Sequence, residues 1–247
     1  MIKQFKNYLK KVSDSFWDFF FKRIDRFPFL KYYPKGRNHI YDILIEEKRN
    51  TDFIVFDVGA NIGQSALYYN KILKNPKIYS FEPVKSTFRE LLSNAKEHHD
   101  IVPFQLALGS KEEKVEILLN DQSLNNSLIK EVYSKNGLEK KEIIDVKTAD
   151  KFFDNLNLNK IDILKIDTEG YDLEVLKGAK SLFEHKKIKY VFCEVGFNDE
   201  KDKVNFSDIN SFLKPFNFRL CGFYDTYRVG DNFTFILYMN ALFKLNE

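Results

Sequence analysis

Two stretches of this 247-residue chain carry residue types at spacings that serve ligand chemistry. The first is Phe53-Ile-Val-Phe-Asp-Val-Gly-Ala-Asn-Ile-Gly-Gln-Ser65. An apolar strand ends at Asp57, Gly59 and Gly63 bracket a tight turn, and a helix starts near Gln64. Glycine lets the backbone approach a ligand closely and take positive φ. Asn61 holds the middle position, and Asn tolerates the left-handed region better than most residues. Ser80-Phe81-Glu82-Pro83 follows, with Glu82 19 residues beyond Gly63. An acid at the tip of the second strand can accept hydrogen bonds from both ribose hydroxyls. Strand, loop, helix, strand and acid in this order point to a cofactor containing adenosine. The plainer reading, in which the glycines serve only the turn, stays open at this point.

The second stretch is Ile161-Asp-Ile-Leu-Lys-Ile-Asp-Thr-Glu-Gly-Tyr-Asp-Leu-Glu-Val-Leu-Lys-Gly-Ala179. A buried strand ends at Asp167, and Thr168-Glu169-Gly170 leads into a helix. Lys165, Asp167 and Glu169 alternate, so they share one side for as long as the chain stays extended. Asp57, Glu82, Asp167 and Glu194 all stand at or near carboxyl ends of strands, where open α/β sheets bind ligands. Four gathered acids are costly unless they serve ligands or partners. Helix capping is the plainer role, and Asp167 suits it for the helix entered near Tyr171.

The elements that must position these residues read as follows. Phe53–Val58, Ile78–Phe81, Ile101–Leu108, Ile161–Ile166 and Tyr190–Val195 are short apolar runs of the kind that form parallel strands buried on both faces. Helices over Gln64–Lys74, Lys85–Glu97 and Tyr171–Phe183 separate most of them, which predicts a doubly wound α/β sheet. Lys114–Leu119 and Ile143–Val146 read as an extra strand pair inside an insertion at about 110–148. Phe218–Tyr224 and Phe233–Met239, joined through Gly230, read as an antiparallel hairpin. A parallel sheet finishing in such a hairpin resembles a class I methyltransferase rather than a dehydrogenase. Ahead of the sheet, the first 24 residues have the apolar spacing of an amphipathic helix, and a second helix is expected at about Ile40–Lys48.

Composition excludes several classes. A net charge of +3 is too small to imply nucleic acid. Residues 1–49 carry 12 Lys+Arg against 6 Asp+Glu, and the rest is mildly acidic. No run of 18 apolar residues exists, and the start lacks the features of a signal peptide. Cys193 and Cys221 both sit in apolar runs and read as buried free thiols in a reducing cytosol. None of His39, His98, His99 and His185 falls in a motif.

Residues 53–65, 80–83 and 161–179 resemble the FkbM-type methyltransferases, whose signatures are Asp-Val-Gly-Ala-Asn-x-Gly, Phe-Glu-Pro and Lys-Ile-Asp-x-Glu-Gly followed by Leu-x-Gly-Ala. Ala107-Leu108-Gly109, Asn126-Ser127-Leu128, Thr148-Ala149-Asp150 and Cys193-Glu194-Val195 are weaker echoes. The resemblance spans about residues 50–240; Ala149 departs from the Leu common in the family. It implies a Rossmann-like, seven-stranded, mostly parallel sheet of order 3-2-1-4-5-7-6 with helices on both faces, an N-terminal helical extension over 1–49, a catalytic domain over 50–247, and S-adenosyl-L-methionine as donor. By position, Asp57, Gly59, Asn61, Gly63 and Gln64 belong to the loop around the methionine part, Glu82 holds the ribose, and Ala107 flanks adenine. Asp167 and Glu169 then lie beside the methyl group.

Methyl transfer to an alcohol is mainly a problem of alignment, with a base to take the proton. Asp167, Glu169 and Glu194 are candidate bases in that order, and Lys165 orients a carboxylate or pairs with one. Asp167 and Glu194 also end neighbouring strands where oxygen ligands could hold a divalent cation, but no tight ligand spacing accompanies them, so a metal-free site is expected. The expected function is O-methylation of a sugar, glycan or other small acceptor in the cytoplasm, with residues 1–24 expected as a lid over the core, and contact with the inner face of a membrane or with a second subunit as the other readings. Two alternatives stand beside it: an NAD(P)-dependent oxidoreductase, and a non-catalytic nucleotide-binding protein of membrane or glycan assembly.

Overall fold

The computed structural model describes residues 35–47, 52–119, 140–197 and 203–246. The chain divides into two compact units, Met1–Asn50 and Thr51–Glu247. In the first, helix α1 (His39–Glu46) starts at Asn38, whose Oδ1 accepts from the backbone N–H groups of Ile40 and Tyr41. A short polar side chain at this position satisfies amides that a helix leaves orphaned. The helix expected over the first 24 residues lies outside the described residues.

The second unit is built on β1 (Ile54–Val58), α2 (Gln64–Ile72), β2 (Lys77–Phe81), α3 (Lys85–Ala95) and β3 (Ile101–Phe104). It continues through β4 (Ala107–Leu108), β5 (Glu113–Leu119), β6 (Lys140–Lys147), α4 (Ala149–Asn155), β7 (Ile161–Ile166), α5 (Asp172–Lys177) and α6 (Lys180–Glu184). It ends with β8 (Ile188–Gly196), α7 (Phe206–Leu213), β9 (Phe218–Val229) and β10 (Phe235–Leu245). Seven strands form one sheet in the order β3-β2-β1-β7-β8-β10-β9. Counting the main-sheet strands alone, this is the expected 3-2-1-4-5-7-6. The first five are parallel, and β10 runs antiparallel to both of its neighbours, β8 and β9.

The central strands are buried on both faces and mostly apolar, interrupted by the buried charges of Asp57, Asp162 and Lys165. All six residues of β7 are buried. Phe56, Phe81 and Phe104, from three adjacent strands, gather with Phe152 of α4, the Phe81 and Phe152 rings meeting edge to face at 4.9 Å. Such pairs add to the free energy of apolar burial.

Three expectations change. The run Ile101–Leu108 is two strands: β3 stays in the main sheet, while β4 pairs with β6 in a separate three-stranded sheet of order β4-β6-β5. The backbone leaves the main sheet at Gln105, between the two. The helix expected over Tyr171–Phe183 breaks at Gly178, where α5 ends and α6 begins. A Cβ at Gly178 would lie 1.9 Å from the Gly109 carbonyl oxygen, so this glycine of the signature serves backbone packing. Finally, Cys193 is buried but Cys221 is exposed, because β9 is an edge strand with an outward face.

Candidate active site

The turn after β1 is shaped by three left-handed residues and one tight contact. Gly59 has φ +72, and a Cβ there would stand 1.9 Å from the Asp167 carbonyl oxygen. Asn61 has φ 50 and Gly63 φ 94, the latter immediately before α2. The Gly59 and Ala60 N–H groups both donate to the Phe81 carbonyl, at 3.0 Å each, which ties the loop to the end of β2.

Glu82 locks the same loop from the other side. Its Oε2 accepts from Asn61 N–H at 3.1 Å and its Oε1 from Val84 N–H at 2.9 Å. Burial raises its pKa to about 7, and the two amide bonds and Lys165 only partly offset that. The Asn61 Oδ1 is buried without a hydrogen-bond partner.

Behind the loop sits a buried ion pair. Asp57 is fully buried, and Lys165 Nζ stands 3.0 Å from its Oδ1, 3.0 Å from the Gly59 carbonyl and 3.7 Å from Asp167 Oδ2. Burial opposes the lysine charge, but Asp57 and Asp167 outweigh it and hold the ammonium pKa above its ordinary value. Asp167 itself is about half exposed, at 47%. It caps no helix: α5 begins without a side-chain cap, and Thr168 Oγ1 donates instead to Asp172, whose burial raises its pKa to about 6. The extended geometry also stops here, since Glu169 takes a left-handed φ of 52 and turns away from the Lys165 row.

Glu169 meets Glu194 through a residue that the sequence did not mark. Lys203 Nζ pairs with Glu169 and stands 2.6 Å from Glu194 Oε2, with the Tyr238 ring centroid 5.0 Å away. Burial and the Asp167 charge lift the Glu194 pKa to about 8 against the pull of Lys203. Lys203 reaches this place because Val204 and Asn205 lie against the end of β8: Gly196 N–H donates to the Val204 carbonyl at 2.9 Å, and Gly196 forms a parallel bridge with Asn205. No periodicity reports such a contact. Tyr238 was legible only as part of a hairpin; its place beside Gly196 depends on register.

One cleft of 510 Å³ joins these groups. Gly59, Asn61, Gln64, Glu82, Ala107, Lys165, Asp167, Glu169 and Glu194 all line it, as do Ile117 and Tyr238. Asp57 and Gly63 stand behind the lining and support it. His98 is elsewhere, its ring nitrogen 3.0 Å from Asn70. Among the described residues no group of three or more His, Cys, Asp or Glu is arranged to hold a metal.

Sheet order, glycine loop and the acid after β2 define a Rossmann-like class I methyltransferase fold. The METTL16 MTase domain shares it, with a TM-score of 0.50, 10% identity, and 84% of this chain and 65% of that one covered. The chain belongs to the FkbM methyltransferase domain family, which matches residues 57–223. It is similar to hexuronic acid methyltransferase AglP of Haloferax volcanii, 25% identical over 65% of this chain and 63% of that protein. Methyltransferase sdnD of Sordaria araneosa is 30% identical over 58% of this chain and 65% of its own length. The chain thus spans less than two thirds of these relatives.

Proposed function

We propose that this chain transfers a methyl group from S-adenosyl-L-methionine to a hydroxyl of a sugar or glycan. The observation that carries the reading is the continuity of the cleft. Its lining runs from the glycine loop and Glu82 to Asp167, Glu169 and Glu194 without interruption. One end suits an adenosine cofactor and the other an acceptor that must lose a proton. The relative that acts on hexuronic acid supports the sugar class.

The residues present fit this cofactor. Asn61 keeps a buried oxygen with no partner, and Glu82 offers a carboxylate already oriented by two amides. Glu82 would hold the ribose hydroxyls, Ala107 and Ile117 would wall the base, and Gly59 to Gln64 would hold the methionine part. The cofactor supplies a methyl carbon on a sulfonium, already activated for displacement. The chain's work is then to align the acceptor oxygen and accept its proton.

Glu194 is the best placed base. A general base works best with a pKa near the working pH, and Glu194 is held at about 8 in a largely buried position. Asp167, first in order by sequence, is half exposed and contributes negative charge beside the cofactor. Glu169 and Glu194 share Lys203, and Glu194 is the more deeply buried of the two. Lys165 orients Asp57 and the Gly59 carbonyl rather than the acceptor. Residues 50–247 form the catalytic domain in this reading, and residues 1–49 an extension that offers a peripheral membrane contact. The two free cysteines suit a cytoplasmic setting.

Thermal denaturation with S-adenosylhomocysteine tests the reading, with NADH and ATP as controls. A ligand that binds only the folded state raises the melting temperature by mass action. The expected result is a rise with S-adenosylhomocysteine alone, abolished in Glu82→Ala. No rise, or a rise only with NADH, sinks it.

A further inference from the structure

Backbone pairing brings Glu194 and Lys203 level with each other. The parallel bridge sets Asn205 beside Gly196, and Gly196 N–H donates to the Val204 carbonyl at 2.9 Å. Two residues back from that bridge, along each segment, stand Glu194 and Lys203. Residues two apart on an extended chain point to one face. The contact at the end of β8 thus delivers an ammonium to Glu194 Oε2, 2.6 Å away. A third neighbour is Tyr238, opposite Gly196 on β10. Lys203 Nζ stands 5.0 Å from its ring centroid, and the Tyr227 ring stacks on Tyr238 at 4.9 Å. The ring quadrupole attracts a cation in that position.

The Lys203 side chain is only 7% exposed, and Glu169 and Glu194 share it. A buried ammonium is costly whenever it lacks a partner. With two carboxylates on it, one can lose its charge while the other keeps the cation paired. A base in this cleft meets that condition when the acceptor hydroxyl gives up its proton. The O–H electron pair stays on the acceptor oxygen, the proton goes to Glu194, and Glu194 turns neutral. Lys203 occupies Oε2 and leaves Oε1 for that proton. Lys203 does not carry the proton itself. Burial opposes its charge, but Glu194 and Glu169 outweigh burial and hold its pKa well above the ordinary lysine value.

We propose that Lys203 is the positioning residue of the base: it fixes Glu194 through Oε2 and, by sharing itself with Glu169, lets Glu194 take a proton without leaving a buried cation unpaired. This rests on the reading of the cleft as a methyltransferase site with Glu194 as its base. Other groups also act at this place. Asp167 stands at the end of the neighbouring β7, Cys193 adjoins Glu194, and Tyr238 lies across on β10. Asp172 interacts with both Asp167 and Lys203. Asn240, opposite Glu194 on β10, is uncharged and donates to Asp225 of β9. Asp167 and Glu169 oppose the ionised form of Glu194, and Lys203 favours it. The two neighbours joined by one ion pair, Lys203 and Glu169, therefore push the base in opposite directions.

The experiment reads Glu194 directly and needs no acceptor. The full chain is prepared with glutamate isotope-labelled at the side-chain carboxyl carbon, and the carboxyl signals are followed by NMR as the pH is raised. Glu194→Gln identifies the signal. The wild-type midpoint is expected at about 8. Lys203→Met should move it up by about 1–3 pH units, because an opposite charge in contact is lost. Lys203→Arg should leave it near the wild-type value. Glu169→Gln should move it down, because a like charge is lost and Lys203 turns wholly to Glu194. A lysine that only braces the chain beside Gly196 would lower the melting temperature of Lys203→Met and leave the midpoint in place. That result overturns the proposal, and so does a midpoint that stays or rises in Glu169→Gln. The second variant keeps the ammonium and decides the matter if Lys203→Met does not fold. Midpoints that move as expected, in a chain whose melting temperature does not respond to S-adenosylhomocysteine, would leave the hold of Lys203 on Glu194 standing and overturn the methyl-donor assignment.

Discussion

The Asp167 carbonyl oxygen occupies the space that a side chain on Gly59 would need, 1.9 Å from where a Cβ would stand. The contact joins the ends of β1 and β7, with Asp167 N–H donating to the Val58 carbonyl at 3.0 Å. Gly59 also has φ +72, so any L side chain is strained there as well as blocked. Gly59→Ala should lower stability by more than about 3 kcal/mol and abolish S-adenosylhomocysteine binding. Gly63→Ala should be milder, because its added methyl meets only the flexible end of Leu91. Urea denaturation of the two variants checks the order.

Lys165→Met should be among the most damaging single changes away from the glycines. It would leave Asp57 fully buried without its cation, a loss of about 3–5 kcal/mol. The pair also has a signature in pH. The folded pKa of Lys165 is raised, so the folded state holds this proton more tightly than the unfolded state does. Its stabilisation is therefore full below the ordinary value of 10.5 and is lost as the pH climbs through the higher folded value. Alkaline unfolding curves of wild type and variant should converge.

Cofactor affinity should depend on pH through Glu82. Its pKa lies at about 7 because it is buried, and only the carboxylate accepts from both ribose hydroxyls. S-adenosylhomocysteine should bind more tightly as the pH rises through 7 and level off above it. Glu82→Gln should bind weakly and lose this dependence. Titration calorimetry across the window decides.

Glu194 should set the pH profile of the reaction. With its pKa raised to about 8, the rate should climb with pH until the carboxylate is fully ionised and then stay level. Glu194→Gln should reduce kcat by about 10²–10⁴ with cofactor binding retained. The same shift acts on stability with the opposite sense to an ordinary ion-paired acid. The folded state binds the extra proton between 4.5 and about 8, so this group's contribution falls as the pH rises across that window. The variant should show a flatter melting curve against pH there.

The main strands and the loop glycines were legible because they rest on local rules, whereas the sheet order followed from the family resemblance. Apolar runs, turn residues and the acid after β2 each report on a few neighbouring positions. One weaker family echo, Thr148-Ala149-Asp150, ties helices to the scaffold, while Asn126-Ser127-Leu128 lies outside the described residues. Thr148 caps α4 by accepting from Lys151 N–H, and Asp150 caps α6 by accepting from the Ser181 and Leu182 amides. Lys203 was not legible. Its place depends on the parallel bridge that sets Asn205 beside Gly196, which no local pattern reports. The choice among the carboxylates also needed burial, which separates Glu194 from Asp167 and has no counterpart in spacing.

The small sheet has a consequence for grafting. β4 supplies Ala107 to the cleft, β5 supplies Ile117, and both pair with β6. The insertion is therefore welded to the wall that would carry the cofactor's base. An engineer who swaps loops between family members to redirect the acceptor cannot cut at 110 and 148. The safe joints lie farther in, beyond Leu119 and before Lys140, so that the strands stay with the host and only the segment between them travels.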